Sequence, residues 1–148
     1  MAQSAGQKRT LYTPQLLALS AQLAEFPLTG EFSQKGEARS RTCGSTIELG
    51  VECGADDTIT RIGMQVTACA IGQSSAAIMA QGAIGRPAGD IAACLQGLEA
   101  WLAKEGDLPD WPAIDALAPA RDHPGRHGAL LLPWTAMQRA LSSAPSCG

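Results

Sequence analysis

Two alternating runs flank a short turn, and this arrangement constrains the fold more than any other stretch of the chain. In the first, Ser45 to Glu52, Ile47, Leu49 and Val51 fall on one face with Thr46, Glu48 and Gly50 between them. In the second, about Thr58 to Ala68, Ile62, Met64, Val66 and Ala68 share a face. Period-two alternation marks half-buried strands, and "CGADD" between them reads as a turn with Gly54 in the position that tolerates positive φ. The pair predicts an antiparallel hairpin with one apolar face, which the rest of the chain has to cover.

The covering elements are legible as helices. Thr13-Pro14 is a hydroxyl cap followed by proline at the first helical position, and Leu16, Leu19, Leu23 and Phe26 then recur at helical spacing until Pro27. "LTGEFSQKGE" reads as a loop and "EARSR" as a short first strand. After Cys69, "AIGQSSAAIMAQGA" is a helix of small residues built for close packing. Pro87 is expected to open the next helix, with Ile91, Cys94, Leu95, Leu98, Trp101 and Leu102 as its apolar stripe and Gly106 as its stop. "DLPDWPAIDALAPARDHPG" holds four prolines and at most a short helix. A last helix is expected from near Leu130 or Pro133, turning Trp134, Met137 and Leu141 inward. Strands early and helices late predict an α+β fold, a small antiparallel sheet of about three strands packed on one face by helices. The 148 residues read as a single domain with flexible tails at 1–10 and 143–148.

Charge and composition narrow the partners. A net charge of −3 and 4% aromatic residues give no basic patch or stacking platform for nucleic acid. No stretch approaches the roughly 20 apolar residues that span a bilayer, and "MAQSAGQKRT" lacks the apolar core of a secretion signal. A cytoplasmic location follows as the expectation, so the five cysteines read as thiols rather than disulfides. No CxxC pair is present. Cys94 falls in a core stripe, Cys53 in the hairpin turn and Cys147 near the C-terminus, which leaves Cys43 and Cys69. Cys43 enters the first hairpin strand and Cys69 leaves the second, so antiparallel pairing carries both to one end of the sheet. Cys69 also precedes a helix, whose N-terminal amides favour a thiolate. Two corner thiols of this kind suit a thiolate metal site or a persulfide-handling site.

Four segments in order resemble the NifU/IscU/SufU family of iron–sulfur cluster assembly scaffolds. Tyr12 ahead of a helix, then Pro27, Gly30 and Phe32, resembles the family's first helix and its Pro…Gly-aromatic loop. "TCGSTIELGVECGADDTITRIGMQVTAC" resembles its Cys-Gly-Asp strand, turn and second strand ending in the second cysteine. "ACAIGQSSAAIMAQGAIGR" resembles the serine- and alanine-rich helix that follows, and "RHGALLLPWTAMQRAL" the segment around the third cysteine, with Arg126, Leu132, Trp134 and Ala136 on matching positions.

The resemblance implies a scaffold, not an enzyme, on which a [2Fe–2S] cluster, iron or in some members zinc is held by three cysteines and an aspartate. Cys43 matches the first cysteine and Cys69 the second. Ser45 stands at the aspartate, and Ala129 at the third cysteine when the flanking residues align without gaps. A serine hydroxyl is a poor ligand for a soft site and an alanine methyl is none. His127, two residues before the lost cysteine, is the available substitute if that segment is extended; if it is helical, the ring points away. His123 reads as plain loop. The implied partners are a cysteine desulfurase and apo iron–sulfur client proteins. Two other readings stand beside this one: a metal-free sulfur acceptor using Cys69 as persulfide carrier with Cys43 to resolve it, and an interaction module that kept the fold without the chemistry.

Overall fold

A computed structural model describes residues 13–40 and 44–143. Tyr12, Cys43, Cys147 and the expected tails lie outside the described residues, except Ser143, whose N–H bonds the Ala140 carbonyl at 3.2 Å. Thr13 caps helix α1 (Pro14–Gln22), its Oγ1 accepting the Leu16 N–H at 3.1 Å, with Leu16 and Leu19 buried beneath it. A 3₁₀ turn, Leu23–Glu25, leads to Phe26, whose carbonyl accepts the Met64 N–H at 2.8 Å. The chain therefore leaves the first helix along the margin of the sheet.

Three strands, β1 (Gln34–Arg39), β2 (Thr46–Cys53) and β3 (Ile59–Thr67), form an antiparallel sheet in the order β1-β2-β3. Ile47 pairs with Ala38 and Val66, Leu49 with Gly36 and Met64, and Val51 with Gln34 and Ile62, which sets the apolar side chains on one face. The first strand starts at Gln34, ahead of the expected "EARSR". The hairpin turn also differs from expectation. Its left-handed residue is Asp57 (φ 64°), not Gly54, and a register shift sits at Glu52/Cys53. Aspartate tolerates this conformation because its short side chain bonds locally.

Helices α2 (Ala70–Ala83), α3 (Gly89–Leu102) and α4 (His127–Ser142) complete the fold, with a 3₁₀ helix, Ile114–Asp122, in the proline-rich segment. The helix α3 begins two residues after Pro87, because Pro87 bridges to Thr58 and the Ala88 N–H bonds the Asp57 carbonyl at 2.9 Å. The last helix starts earlier than expected, so Pro133 lies inside it. Proline has no N–H, which leaves the Ala129 carbonyl without its usual helical donor.

Small residues let these elements close up. Ser74 and Ser75 are fully buried in α2; Ser74 Oγ donates to the Leu16 carbonyl and Ser75 Oγ to the Leu130 carbonyl, both at 2.6 Å. Trp134 Nε1 in turn donates to Ser75 Oγ at 2.9 Å, so one hydroxyl ties α2 to α4 twice. Trp111 donates to the Ile78 carbonyl at 2.9 Å and meets Trp134 edge to face, centroids 4.9 Å apart. Gly36 lies where a Cβ would strike the Ala136 carbonyl and Ala140 backbone, so α4 rests directly on β1. Cys94 is buried in the α3 stripe as expected.

On the outer face Phe32 covers Gly50 and Gly63, neither of which leaves room for a side chain. Arg61 stacks 4.0 Å above the Phe32 ring and pairs with Glu52 at 3.5 Å. Ser33 donates from its N–H and its hydroxyl to the same carboxylate, at 2.8 and 2.7 Å. Among the described residues, no helix is long and apolar enough to cross a membrane.

Candidate functional site

Thr46 and Thr67 form the terminal rung of the hairpin, and both thiol-bearing segments continue from it. Cys69 lies two residues past Thr67; Gly44 and Ser45 lead into Thr46 on the other strand. Register thus delivers the two segments to one end of the sheet, as the alternation predicted. Cys43 itself, and with it the expected close approach of the two sulfurs, lies outside the described residues.

Cys69 is the N-cap of α2. Its backbone is extended (φ −70°, ψ 175°) and its carbonyl accepts the Gln73 N–H at 2.9 Å, while its side chain makes no capping bond. The first helical amides, of Ala70, Ile71 and Gly72, have no partner within the helix and present partial positive charge beside the thiol. The side chain is half-buried, so the sulfur is neither sealed in the core nor fully in water. The sulfur stays reachable beside these amides.

The other implied ligand positions can be placed. Ser45 is buried, and its carbonyl accepts the Ser40 N–H at 2.8 Å. Ala129 is fully buried in the first turn of α4 and lies against the first turn of α2: a Cβ built on Gly72 would stand 3.5 Å from the Ala129 Cβ and 3.4 Å from its carbonyl oxygen. Position 129 therefore faces the helical turn that Cys69 caps, and it presents a methyl group. His127 is the first residue of α4, helical rather than extended, with Nε2 at 2.9 Å from the Arg121 carbonyl. A carbonyl only accepts, so Nε2 is the donor in this bond. His123 lies in the turn before the last helix, where its N–H bonds the Ala120 carbonyl at 3.0 Å.

The remaining described thiols are held apart from this end. Cys53 closes β2 opposite Ile59, and burial, with the Asp57 and Glu52 carboxylates, pushes its thiol up from the ordinary cysteine range. Cys94 lines a cleft of about 230 Å³ with Arg86, Asp90 and Trp111, and burial pushes its thiol up to about 12. Both stay protonated at neutral pH. Among the described residues, no group of three histidine, cysteine or acidic side chains is placed to hold a metal ion.

Sequence reasoning did not find the Phe32–Arg61–Glu52–Ser33 cluster on the outer face, nor the cleft of about 430 Å³ beside it, lined by Leu28, Gly30, Lys35, Glu37 and Glu48. The available signal was a glycine in each hairpin strand at facing positions, Gly50 and Gly63, which marks a close approach from outside the sheet.

Neither a scan of family models nor a search of curated proteins gives a match. Solved structures do. The N-terminal part of a nitrogen-fixing NifU-like protein from Brucella abortus superposes with a TM-score of 0.83 and 26% identity, over 91% of this chain and 94% of that one. An iron–sulfur cluster assembly scaffold protein for the SUF system from Fervidobacterium islandicum AW-1 superposes at 0.81 with 20% identity, over 90% of this chain and 98% of that one.

Proposed function

We propose that this chain, a NifU/IscU/SufU-type protein, acts in iron–sulfur cluster assembly and receives its cargo at the sheet end formed by Cys43 and Cys69. The observation that carries this reading is the placement of Cys69 at the junction of a strand and a helix N-terminus, on a fold shared with a NifU-like protein and a SUF-system assembly scaffold. The cargo is iron with sulfide, or a single iron or zinc ion, bound by the two thiolates; His127, helical at the start of α4 with Nε2 on the Arg121 carbonyl, does not meet the extended-segment condition for a third donor. A cysteine desulfurase in the cytoplasm supplies the sulfur, and apo client proteins receive the product. The test is metal and sulfide analysis of protein purified without oxygen. Bound iron or zinc that is lost in Cys69→Ser supports the reading; metal-free protein that also takes up no sulfur refutes it.

A second reading is favoured by the methyl group of Ala129 at the position facing Cys69's helical turn. With the donor set one thiol short, Cys69 serves as a metal-free sulfur acceptor. Its thiolate attacks the outer sulfur of a desulfurase persulfide, the donor S–S bond breaks, and the donor leaves as a thiolate while Cys69 becomes the persulfide. Sulfur label on Cys69 in protein without metal selects this reading over the first.

A further inference from the structure

The backbone of β1 alternates in direction, and one set of its polar groups meets no strand among the described residues. Ser40 N–H donates to the Ser45 carbonyl at 2.8 Å, and the β1–β2 register continues from that rung, so even-numbered residues of β1 turn their backbone groups toward β2. Lys35, Glu37 and Arg39 turn theirs outward. The Arg139 guanidinium, 3.0 Å from the Glu37 carbonyl, approaches from that open side. All three side chains are exposed on the outer face. Glu37 stands directly opposite Glu48 of β2, and neither carboxylate nor Lys35 has an ion pair among the described residues. Like charges opposed across a ladder destabilise it.

We propose that this edge pairs with the same edge of a second copy, about a two-fold axis through Gly36. Outward-directed residues must oppose one another, so the possible registers differ by steps of two. With the axis at Gly36, Lys35 faces the partner's Glu37 and Glu37 faces the partner's Lys35, and each pair exchanges both backbone hydrogen bonds. With the axis at Glu37, glutamate meets glutamate and Lys35 meets the partner's Arg39. With the axis at Lys35, lysine meets lysine. Charge therefore rules out these two registers; an axis at Ala38 would also oppose Glu37 to the partner's Arg39, and the Gly36 register is preferred because its closest pair carries no side chains. Lysine on an edge strand discourages indiscriminate pairing, and a glutamate two residues away makes the edge selective for itself. Gly36 meets its copy as a non-hydrogen-bonded pair, the closest approach in an antiparallel ladder, and has no side chain to obstruct it. The Glu37 carbonyl has a second lone pair, so Arg139 can share it with the incoming strand. The product is a continuous six-stranded sheet whose two Cys69 ends point in opposite directions.

Sedimentation equilibrium of the full chain, under reducing conditions and low salt over a wide concentration range, tests this. A monomer–dimer equilibrium is expected, with dimerisation weakened about tenfold or more by Lys35→Glu or by Glu37→Lys, since each reversal turns two attractive cross-strand pairs repulsive. The double variant restores complementary pairs and should recover the dimer. Circular dichroism of each variant confirms that the fold is kept, as both side chains are exposed. A monomer at every concentration overturns the proposal and leaves the edge to a strand of another protein. A dimer indifferent to the single reversals, or not recovered in the double variant, overturns it as well.

Discussion

Cys69 owes its chemistry to being the last residue of one element and the cap of the next. An ordinary capping side chain would accept an amide bond; a thiol accepts poorly, so the amides of Ala70 to Gly72 stay available to an incoming anion. Cys69→Ser should abolish metal retention and sulfur acceptance together, measured by metal analysis and by sulfur labelling. His127→Ala tests whether the ring takes any part at the site from its helical position. As a metal ligand its loss should lower zinc affinity by roughly 10–100-fold or more, the scale of changes to groups that only support a ligand. As a bystander its loss leaves persulfide formation on Cys69 intact. Unchanged zinc affinity in His127→Ala, with loss in Cys43→Ser, would assign the third donor elsewhere. Ala129→Cys supplies a thiol facing the turn that Cys69 caps, and iron retained after anaerobic purification should rise; no gain would mean that position 129 cannot reach the site.

At the level of elements, the hairpin, the small-residue helix and the buried stripe of Cys94 were all legible because each repeats at the period of its own geometry. The beginnings of α3 and α4 were not. Pro87 and Pro133 both read as first-turn residues, yet Pro87 is spent on a bridge to Thr58, and Pro133 sits where neighbouring elements hold the helix together around it. The position of Cys69 at a strand end before a helix could be read directly, whereas the bond from His127 to Arg121 depends on a 3₁₀ helix in a segment with no periodic signal. The packing of α2 gives a test. Ala76 and Ala77 are fully buried, so leucine at either should overpack the interior and cost ~1–3 kcal/mol, read as a lowered unfolding midpoint. An unmoved midpoint would mean the neighbouring elements can retreat. The outer-face cluster behaves differently with pH. The Ser33 hydroxyl holds the Glu52 carboxyl below the usual range; burial opposes it, and the Ser33 N–H and the Arg61 guanidinium add to the lowering. A depressed carboxylate stabilises the fold above its unfolded value and loses that contribution as pH falls through its folded value. Glu52→Gln should therefore lower the midpoint at neutral pH, and the gap from wild type should close in acid.

For the whole molecule, the buried thiol of Cys94 sets the opposite limit. Its value near 12 exceeds that of an unfolded cysteine, so unfolding releases a proton above about pH 8.5 and stability falls as pH rises between the two values. Alkaline unfolding should be less steep in Cys94→Ala, and an alkylating reagent should reach Cys94 only after unfolding. Reaction of Cys94 in the native protein would show that the cleft beside Arg86 and Trp111 opens in solution. The interior also carries its own optical reporter. Trp111 and Trp134, at an interplanar angle of 76°, hold two indole chromophores in a fixed mutual orientation at close range. Their transitions couple and split into bands of opposite ellipticity, a couplet that neither ring produces alone. One ring lies just before the 3₁₀ helix and the other within α4, so the couplet follows the docking of those two segments and is blind to helix content. Light would thus distinguish a molecule that has lost its interior contacts from one that has lost its helices.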